Sequence, residues 1–353
     1  MPEKYLPKPE RPLKVLTLEG DGLQGVAQLV ILKALLAKIA EKRGEPGISL
    51  RPCDVFGVIC GIGGGGCLAL LLGRFHLSTD RALCEWRKFA PTCKKENEHP
   101  SVLINNWEFE DAVRRREEQY KTGRKLMDSG AEQTSCRHVF VAARADTIDP
   151  RWIIYRAYDA LKIEGALADP LEPNECQLLS AFVGTIATKY FSDPREMTDS
   201  TNTTTNLLND FPNQLNIDQI AAHEIWALYG VENVKDSIFA NIGPGPPHHS
   251  EVRKIMGVKH SWSSIPSTNL DRQVYPINNV KQFHPVLEKS VRGAVFGEED
   301  ILRKVSDETK VWLQKHKVAD TIEQCAQEIV SLDSQLLNAL QPSTSGMPPP
   351  PYD

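Results

Sequence analysis

The sequence predicts an α/β protein with a mostly parallel central sheet, and three observations support that class. Short apolar runs typical of strands alternate with longer segments typical of helices, which is the order found in βαβ units. The stretch Val55–Ile59 is a continuous apolar run, as expected for a strand covered on both faces. Two of the strand-like runs end in glycine-rich turns, at Gly20 and at Gly61, and each turn leads into a helix-like segment.

Each predicted element follows from a local pattern. The run Leu13–Leu18 is a strand that stops at a glycine. Apolar residues recur at helical spacing over Gly25–Lys42, and a Gly-x-x-Gly turn then ends that helix. By the same criteria the later strands are His138–Ala143 and Ser237–Ile242, and the later helices are Gly65–Leu72, Leu77–Phe89, Trp107–Lys121, Cys176–Phe191 and Ile217–Tyr229.

The chain divides into one α/β domain with additions at both ends. After the last predicted strand the pattern changes to amphipathic helices at Leu302–Lys315 and Thr321–Leu340, which we expect to pack on the domain as an extension. Thr201–Gln214, rich in Asn and Thr, is predicted to be a polar surface loop. The predicted units are a flexible N-terminus (1–11), the α/β domain (12–250), the helical C-terminal extension (251–340) and a disordered Pro-rich tail (341–353).

The composition and charge exclude several classes of function. The 353 residues carry a net charge of −5, which gives no basic surface for nucleic acid. The N-terminal residues lack the apolar core of a signal peptide, and no apolar run is long enough to cross a membrane, so we expect a cytoplasmic protein. The eight cysteines form no Cys-x-x-Cys pair, so we expect reduced thiols, no metal and no cofactor.

The first glycine turn has the spacing of a dinucleotide-binding loop. Gly20, Gly22 and Gly25 form Gly-x-Gly-x-x-Gly directly after a strand and before a helix. A ribose-binding acid should end a second strand about 20 residues further on, but a helix end and a loop occupy that region. Asp21 would also place a negative charge beside the pyrophosphate. Dinucleotide binding is therefore disfavoured.

Both glycine turns resemble those of the patatin-like phospholipase family. The segment KVLTLEGDGLQG (14–25) is similar to that family's strand and oxyanion turn, Asp-Gly-Gly-Gly-x-Arg-Gly. The segment CDVFGVICGIGGGGCLALLLG (53–73) is similar to its nucleophile motif, Cys-Asp-x-Phe-x-x-x-x-Gly-Thr-Ser-Thr-Gly-Gly, and the helix after it. Later segments, 177–191, 216–230 and 237–245, follow the family in order. The resemblance covers roughly residues 12–250 and implies the patatin three-layer α/β fold.

The resemblance also implies a serine nucleophile, which this chain lacks. The family hydrolyses acyl esters with a Ser-Asp dyad, in which the serine attacks the carbonyl and backbone N–H groups hold the oxyanion. Aligning the glycines before Cys67 with the family's Gly-Gly places Gly63 at the nucleophile position. No serine occurs from Leu50 to Leu77, so a shifted register does not restore one.

The other catalytic elements of the family have changed as well. The position of the dyad aspartate falls on Asn209, or on Asp210 if the loop shifts by one residue. In the oxyanion turn, Asp21 stands where the family has glycine and Gln24 where it has Arg or Lys. A carboxylate there would repel a developing oxyanion.

We therefore expect a patatin-like protein that has lost Ser-Asp hydrolysis and binds an acyl or other apolar ligand, or acts as a regulatory pseudoenzyme. We also expect contact with a membrane surface. One alternative is a repurposed enzyme that uses the carboxylates Glu19, Asp21 and Asp210 for proton transfer. A second alternative is residual lipid acyl hydrolysis through another nucleophile.

Several other residues are of types that serve as nucleophiles, metal ligands or binding motifs. Cys60 and Cys67 flank the glycine turn, but their apolar surroundings favour packing over nucleophilic catalysis. His223 is interpreted as a surface or satisfied histidine of its helix, and His248-His249 as part of a loop without further metal ligands. The segment Pro349–Tyr352 fits Pro-Pro-x-Tyr, the pattern bound by WW domains, but the motif is short and a solubilising tail is the favoured interpretation.

Overall fold

A computed structural model gives the structure of the chain. It describes residues 12–20, 24–89, 93–95, 102–104, 106–120, 136–144, 152–158, 177–186, 195–198, 204–207, 217–243, 277–285 and 299–340.

Strands and helices alternate through most of the described residues. In chain order the strands are β1 (Lys14–Gly20), β2 (Val58–Gly63), β3 (Cys93–Lys95), β4 (Val102–Ile104), β5 (His138–Arg144), β6 (Trp152–Arg156), β7 (Arg195–Thr198), β8 (Thr204–Leu207), β9 (Ile238–Ile242) and β10 (Asn279–Phe283). The helices are α1 (Gln24–Lys42), α2 (Gly64–Ala69), α3 (Thr79–Phe89), α4 (Asn106–Gln119), α5 (Leu178–Ile186), α6 (Ile217–Tyr229), α7 (Val231–Asp236), α8 (Glu299–Leu313) and α9 (His316–Leu340).

The central sheet confirms the predicted α/β class. In the described part of the chain it has six strands in the order β10-β9-β1-β2-β5-β6. Every neighbouring pair is parallel except β5 and β6 at one edge. From β1 the chain moves through β2 to β5 in one direction, and it later returns to β9 on the other side of β1. The carboxyl ends of β1 and β9 therefore flank a topological switch point, where α/β proteins commonly bind ligands.

Helices cover both faces of the sheet, which makes three layers. Alternate residues of β1 point to opposite sides: Leu16 and Leu18 join a core with α1 and α2, whereas Val15 joins a core with α6. The α6 face is smaller and also holds Phe239 of β9. Strands buried on both faces explain why their sequences are continuous apolar runs rather than alternating ones.

The second strand begins three residues later than the sequence predicts. Pro52–Asp54 forms a short 3₁₀ turn, in which the N–H of Phe56 donates to the carbonyl of Pro52 at 2.9 Å. Arg51 pairs with the carboxylate of Asp54 across this turn at 2.9 Å. Local capping of this kind competes with strand formation, so only the second half of the predicted run Val55–Ile59 extends into β2.

The segment predicted as a surface loop contains a strand. Residues Thr204–Leu207 (β8) pair in antiparallel fashion with Arg195–Thr198 (β7). Threonine is well suited to strands because it is branched at Cβ, and three of the four residues of β8 are polar. The polar composition led to the prediction of a loop, but it is equally compatible with a β-hairpin.

The two predicted C-terminal helices are present as α8 and α9, and they pack on α1. Asp333 of α9 accepts hydrogen bonds from Lys14 at 2.5 Å and from Arg43 at 2.7 Å, which fastens both ends of the β1–α1 unit. The chain after residue 250 also supplies β10, which extends the sheet beside β9. The domain boundary at 250 stays a prediction, and the predicted flexible ends 1–11 and 341–353 lie outside the described residues.

A buried ion pair joins α6 to the antiparallel edge strand. Arg156 of β6 donates two hydrogen bonds to Glu224 of α6, at 2.7 and 2.6 Å, and both side chains are 3% exposed. The hydroxyl of Tyr158 donates to the same carboxylate at 2.7 Å. The bidentate geometry and the extra donor offset the cost of removing both charges from water.

No helix in the described residues is long and apolar enough to cross a membrane.

His138, the first residue of β5, lies beside this ion pair. Its ring packs edge-on against Tyr158, and its Nε2 lies 2.9 Å from the hydroxyl of Tyr229. Burial lowers the pKa of His138 from its ordinary value of 6.5 to about 4, and the Glu224 carboxylate only partly opposes this effect. The histidine is therefore neutral in the folded protein near neutral pH.

We predict that His138 makes the protein less stable as the pH falls from 6.5 towards 4. In that window the unfolded chain binds a proton at this residue and the folded chain does not, so unfolding is favoured by up to about 3 kcal/mol. Urea unfolding at several pH values measures the effect. His138→Gln should flatten the dependence in this window, whereas the control His316→Gln, at a side chain 91% exposed, should not. Identical profiles for wild type and His138→Gln would contradict the prediction.

Candidate functional site

The two glycine turns of the sequence meet at the carboxyl edge of the sheet. Gly20 ends β1 and Gly63 ends β2, and the two residues are paired in the parallel register of these strands. The sequence places the turns 43 positions apart, and the parallel pairing brings them side by side. This juxtaposition defines the candidate site.

Gly63 has the backbone conformation of a residue at a sharp strand-to-helix turn. Its φ is 64° and its ψ is −140°, a combination that L-residues with a side chain rarely adopt. β2 enters the turn directly, α2 leaves it at Gly64, and a π-helical turn, Leu70–Arg74, continues α2. A strand, one strained residue and a helix make up the nucleophile elbow of α/β hydrolases. The predicted nucleophile position therefore has the geometry of an elbow.

The neighbouring glycines are required because backbones touch there. A Cβ on Gly65 would collide with the carbonyl carbon and oxygen of Leu18 in β1. A Cβ on Gly61 would collide with the carbonyl of Gly65 in turn. Backbone atoms cannot rotate aside as side chains can, so these positions exclude every other residue. The glycine run thus packs α2 directly against β1 and β2.

Thr185 of α5 contacts the elbow through its hydroxyl group. Its Oγ1 lies 3.4 Å from the carbonyl oxygen of Gly63 and 3.3 Å from that of Ala142, so the hydroxyl proton is shared between two strand ends. A Cβ on Gly66 would collide with the same hydroxyl. Thr185 is completely buried, so this contact is part of the core.

The first turn is held by contacts around Gly20 and Gly25. Gly20 has a φ of +141°, and a Cβ there would lie 2.6 Å from Oε1 of Gln24. Gly25, near the start of α1, lies against the indole of Trp86, 2.7 Å from the position of a Cβ. Of the three glycines predicted for the oxyanion turn, Gly20 is therefore favoured by its positive φ and Gly25 by its packing against Trp86. Asp21 and Gly22, the other two predicted residues of that turn, lie outside the described residues.

Gln28 of α1 closes the switch point between β1 and β9. Its Nε2 donates to the carbonyl of Glu19 at 2.5 Å and to the carbonyl of Ile242 at 3.0 Å. The amide therefore replaces the next rung of the β1–β9 ladder, which ends at the pair Leu18 and Ile242. Gln28 is 1% exposed, and its Oε1 has no hydrogen-bond partner. Gln28 thus ties the ends of β1 and β9 together at the switch point.

A buried polar cluster lies below the site on the α6 face. Asp218 of α6 accepts from the hydroxyl of Thr17 at 2.5 Å and from Nδ2 of Asn241 at 2.9 Å, and all three residues are at most 1% exposed. His284, just after β10, lies near Asn241 over Gly243. Burial lowers the pKa of His284, and the Asp218 carboxylate partly opposes this.

This cluster was not predicted from the sequence, although the sequence contains a signal for it. Thr17 and Asn241 are polar residues in the middle of strands that are otherwise apolar, and they stand opposite each other in β1 and β9. Asp218 is likewise polar on the buried side of α6. Buried polar residues in neighbouring elements usually bond to one another, so the pattern was readable once the strand pairing was known.

Of the predicted acids, the structure describes one. Glu19 is half-buried in β1, opposite Ile62 of β2, one residue before the paired glycines. The candidate base positions Asn209 and Asp210 lie outside the described residues, as does the pair His248-His249. The Pro-Pro-x-Tyr segment Pro349–Tyr352 is also outside them.

The two cysteines beside the elbow are packed in the core. Cys60 and Cys67 are at most 1% exposed. Burial, with a smaller contribution from the Asp218 carboxylate, raises the pKa of the Cys60 thiol well above its ordinary range, which disfavours a reactive thiolate. His223 is buried as well, at 2% exposure. Among the described residues, no three His, Cys, Asp or Glu side chains come together as a metal site requires.

Comparison with known proteins supports the resemblance without showing the family. No family model matches this chain. A stretch of 97 residues is 31% identical to calcium-independent phospholipase A2-gamma of Oryctolagus cuniculus, and it covers 28% of this chain and 11% of that protein. The crystal structure of VipD from Legionella pneumophila superposes with a TM-score of 0.38 at 11% identity, over 95% of this chain and 77% of VipD.

These observations define the class as a three-layer α/β protein, and they support a phospholipase-like fold for it. The three layers and the mostly parallel sheet are those that the resemblance to patatin-like phospholipases implied. The sequence similarity to a phospholipase A2 supports the same conclusion. The chain matches only a small part of that relative's length, so the relative's activity is not established for this protein.

We predict that Gly63→Ser lowers the free energy of unfolding by roughly 1–3 kcal/mol. A side chain at φ 64° and ψ −140° is strained, and the glycine avoids that strain. Thermal and urea unfolding measure the loss. Gly44→Ser is a control for the cost of a side chain at a positive φ away from the site, because Gly44 has a φ of +77° and a Cβ there would meet open space. An unchanged melting temperature for Gly63→Ser would contradict the prediction.

Proposed function

We propose that this phospholipase-fold protein has lost Ser-Asp acyl hydrolysis and binds an acyl chain or another apolar ligand. The observation that carries the proposal is Gly63, a residue with the backbone geometry of an elbow nucleophile and no side chain to attack with. Loss of a nucleophile costs several powers of ten in hydrolysis rate. A hydrolase would need a serine at this place, and none lies between Leu50 and Leu77.

The frame of the site is intact although no nucleophile is present. The glycine packing of α2 on β1, the Thr185 contact and the Gln28 contact hold the turn in place. A turn without a function could change to ordinary backbone, because nothing would preserve an uncommon conformation. Gly63 keeps that backbone conformation and avoids its steric cost. We infer that the shape of the turn is still used, and that its use is recognition of a ligand.

The remaining catalytic positions support the same proposal. At the site of the dyad aspartate the sequence has Asn209 or Asp210, and an asparagine cannot act as a general base. Asp21 in the oxyanion turn would oppose a developing negative charge. Restoring hydrolysis should therefore need changes at the nucleophile position Gly63, at the aspartate position and at Asp21.

Native mass spectrometry of the purified protein tests ligand binding. We expect a species heavier than the polypeptide, which denaturing mass spectrometry separates into the chain and an apolar small molecule. A fluorophosphonate probe, which labels activated serines, should give no signal in the same preparation. A protein that is always found without a ligand would contradict the binding proposal. Labelling of any serine would instead support residual acyl hydrolysis.

We predict that Gly63→Ser alone does not hydrolyse p-nitrophenyl esters. The triple variant Gly63→Ser, Asn209→Asp, Asp21→Gly supplies a nucleophile, a base and an uncharged oxyanion turn, so it should gain turnover above the wild type. Ester hydrolysis is measured below the melting temperature of each variant, with Gly44→Ser as the control for a destabilised but unrelated glycine. Strong activity in the single variant would show that the base and the oxyanion turn are intact.

A further inference from the structure

Two cysteines lie together at the amino end of the strand that carries the elbow. Cys53 is in the 3₁₀ turn that precedes β2, and Cys136 lies two residues before β5. The backbone N–H of Cys136 donates to the carbonyl of Cys53 at 2.9 Å. The next N–H groups, of Arg137 and His138, donate to Gly57 at 3.0 and 3.2 Å. The two segments therefore run side by side before the β2–β5 ladder begins.

This backbone contact limits the distance between the two Cα atoms. Standard bond lengths on either side of the hydrogen bond allow at most roughly 6.7 Å, and a bent arrangement brings the atoms closer. Disulfides join Cα atoms about 4.4–6.8 Å apart. Both side chains also belong to the same hydrophobic core on the α1 face. Cys53 is a fully buried member of this core, and Cys136 is partly buried and packs against the core. Both residues are thiols in the structure.

We propose that Cys53 and Cys136 are a redox pair that closes to a disulfide between the entrances of β2 and β5. Cys136 is only partly buried and meets the oxidant first, whereas Cys53 is 0% exposed and reacts second. This site is separate from the glycine turns, which lie at the opposite, carboxyl end of the same strands. The proposal therefore does not depend on the proposed ligand.

The chemistry balances with a small disulfide such as oxidised glutathione as the oxidant. The Cys136 thiolate attacks one glutathione sulfur, which forms a mixed disulfide and releases the other glutathione as a thiolate. The Cys53 thiolate then attacks the Cys136 sulfur and releases the second glutathione. Two protein thiols are oxidised, one oxidised glutathione is reduced to two thiols, and the two protons pass to those products.

The surroundings of Cys136 slow the formation of the disulfide, and the length of the closed loop makes the disulfide stabilising. Burial raises the pKa of the Cys136 thiol, and the neighbouring Cys53 raises it further. A small thiolate fraction slows attack on the oxidant, so the reaction calls for long incubation at mildly alkaline pH. Since the loop closed by the bond spans about 80 residues, the oxidised protein should resist unfolding more than the reduced one.

Incubation of the folded full-length chain with oxidised glutathione tests the proposal. We expect non-reducing peptide mapping to find the Cys53–Cys136 link, the melting temperature to rise, and dithiothreitol to reverse both changes. Cys53→Ser and Cys136→Ser should each abolish the link and the rise. Cys84→Ser, at an exposed cysteine, should leave both intact.

The wild-type peptide map decides the outcome even if a serine variant fails to fold. Glutathione that stays attached to Cys136 without a link to Cys53 would overturn the proposal, because it would show that the second sulfur cannot reach. A Cys53 or Cys136 linked to any other cysteine would overturn it too.

Discussion

The contact of backbone with backbone at the glycine turn is the constraint on which the rest of the structure depends. Gly65 lies against the carbonyl of Leu18, and Gly61 lies against Gly65, so α2 seats on β1 and β2 with no side chain between them. That contact fixes where β2 ends and where the chain turns. It also brings Gly63 beside Gly20, which assembles the candidate site from two distant parts of the sequence.

Around this contact, buried polar side chains join the structural elements to one another. Gln28 finishes the ladder between β1 and β9, and Thr185 bonds to the strand ends that flank the elbow. On the other face the Arg156–Glu224 pair fastens α6 to the antiparallel edge strand. Each of these buried groups would be costly if unpaired. The contacts of Gln28 and Thr185 hold the strand ends at the turn in place, although the central residue of the turn cannot act as a nucleophile.

Much of the fold could be predicted because its signals are local. Continuous apolar runs gave β1, β5 and β9, and helical spacing gave α1 and α6 almost to the residue. The errors occurred where a local turn or the pairing of strands outweighed the pattern of apolar and polar residues. The start of β2 moved to Val58 because Pro52–Asp54 forms a turn, and a polar segment paired into the hairpin of β7 and β8. The edge strand β10 has a mixed pattern, because its residues are only partly covered.

The sequence by itself determined the α/β class, the two glycine turns and the absence of a serine at Gly63, since these are facts of composition and local pattern. Only the tertiary structure decided that the turns are adjacent and that Gly63 has a nucleophile's backbone geometry. It alone also showed that Asp218 bonds to Thr17 and Asn241. The physical reason is that strand pairing joins residues far apart in sequence, and no local pattern encodes which strands become neighbours.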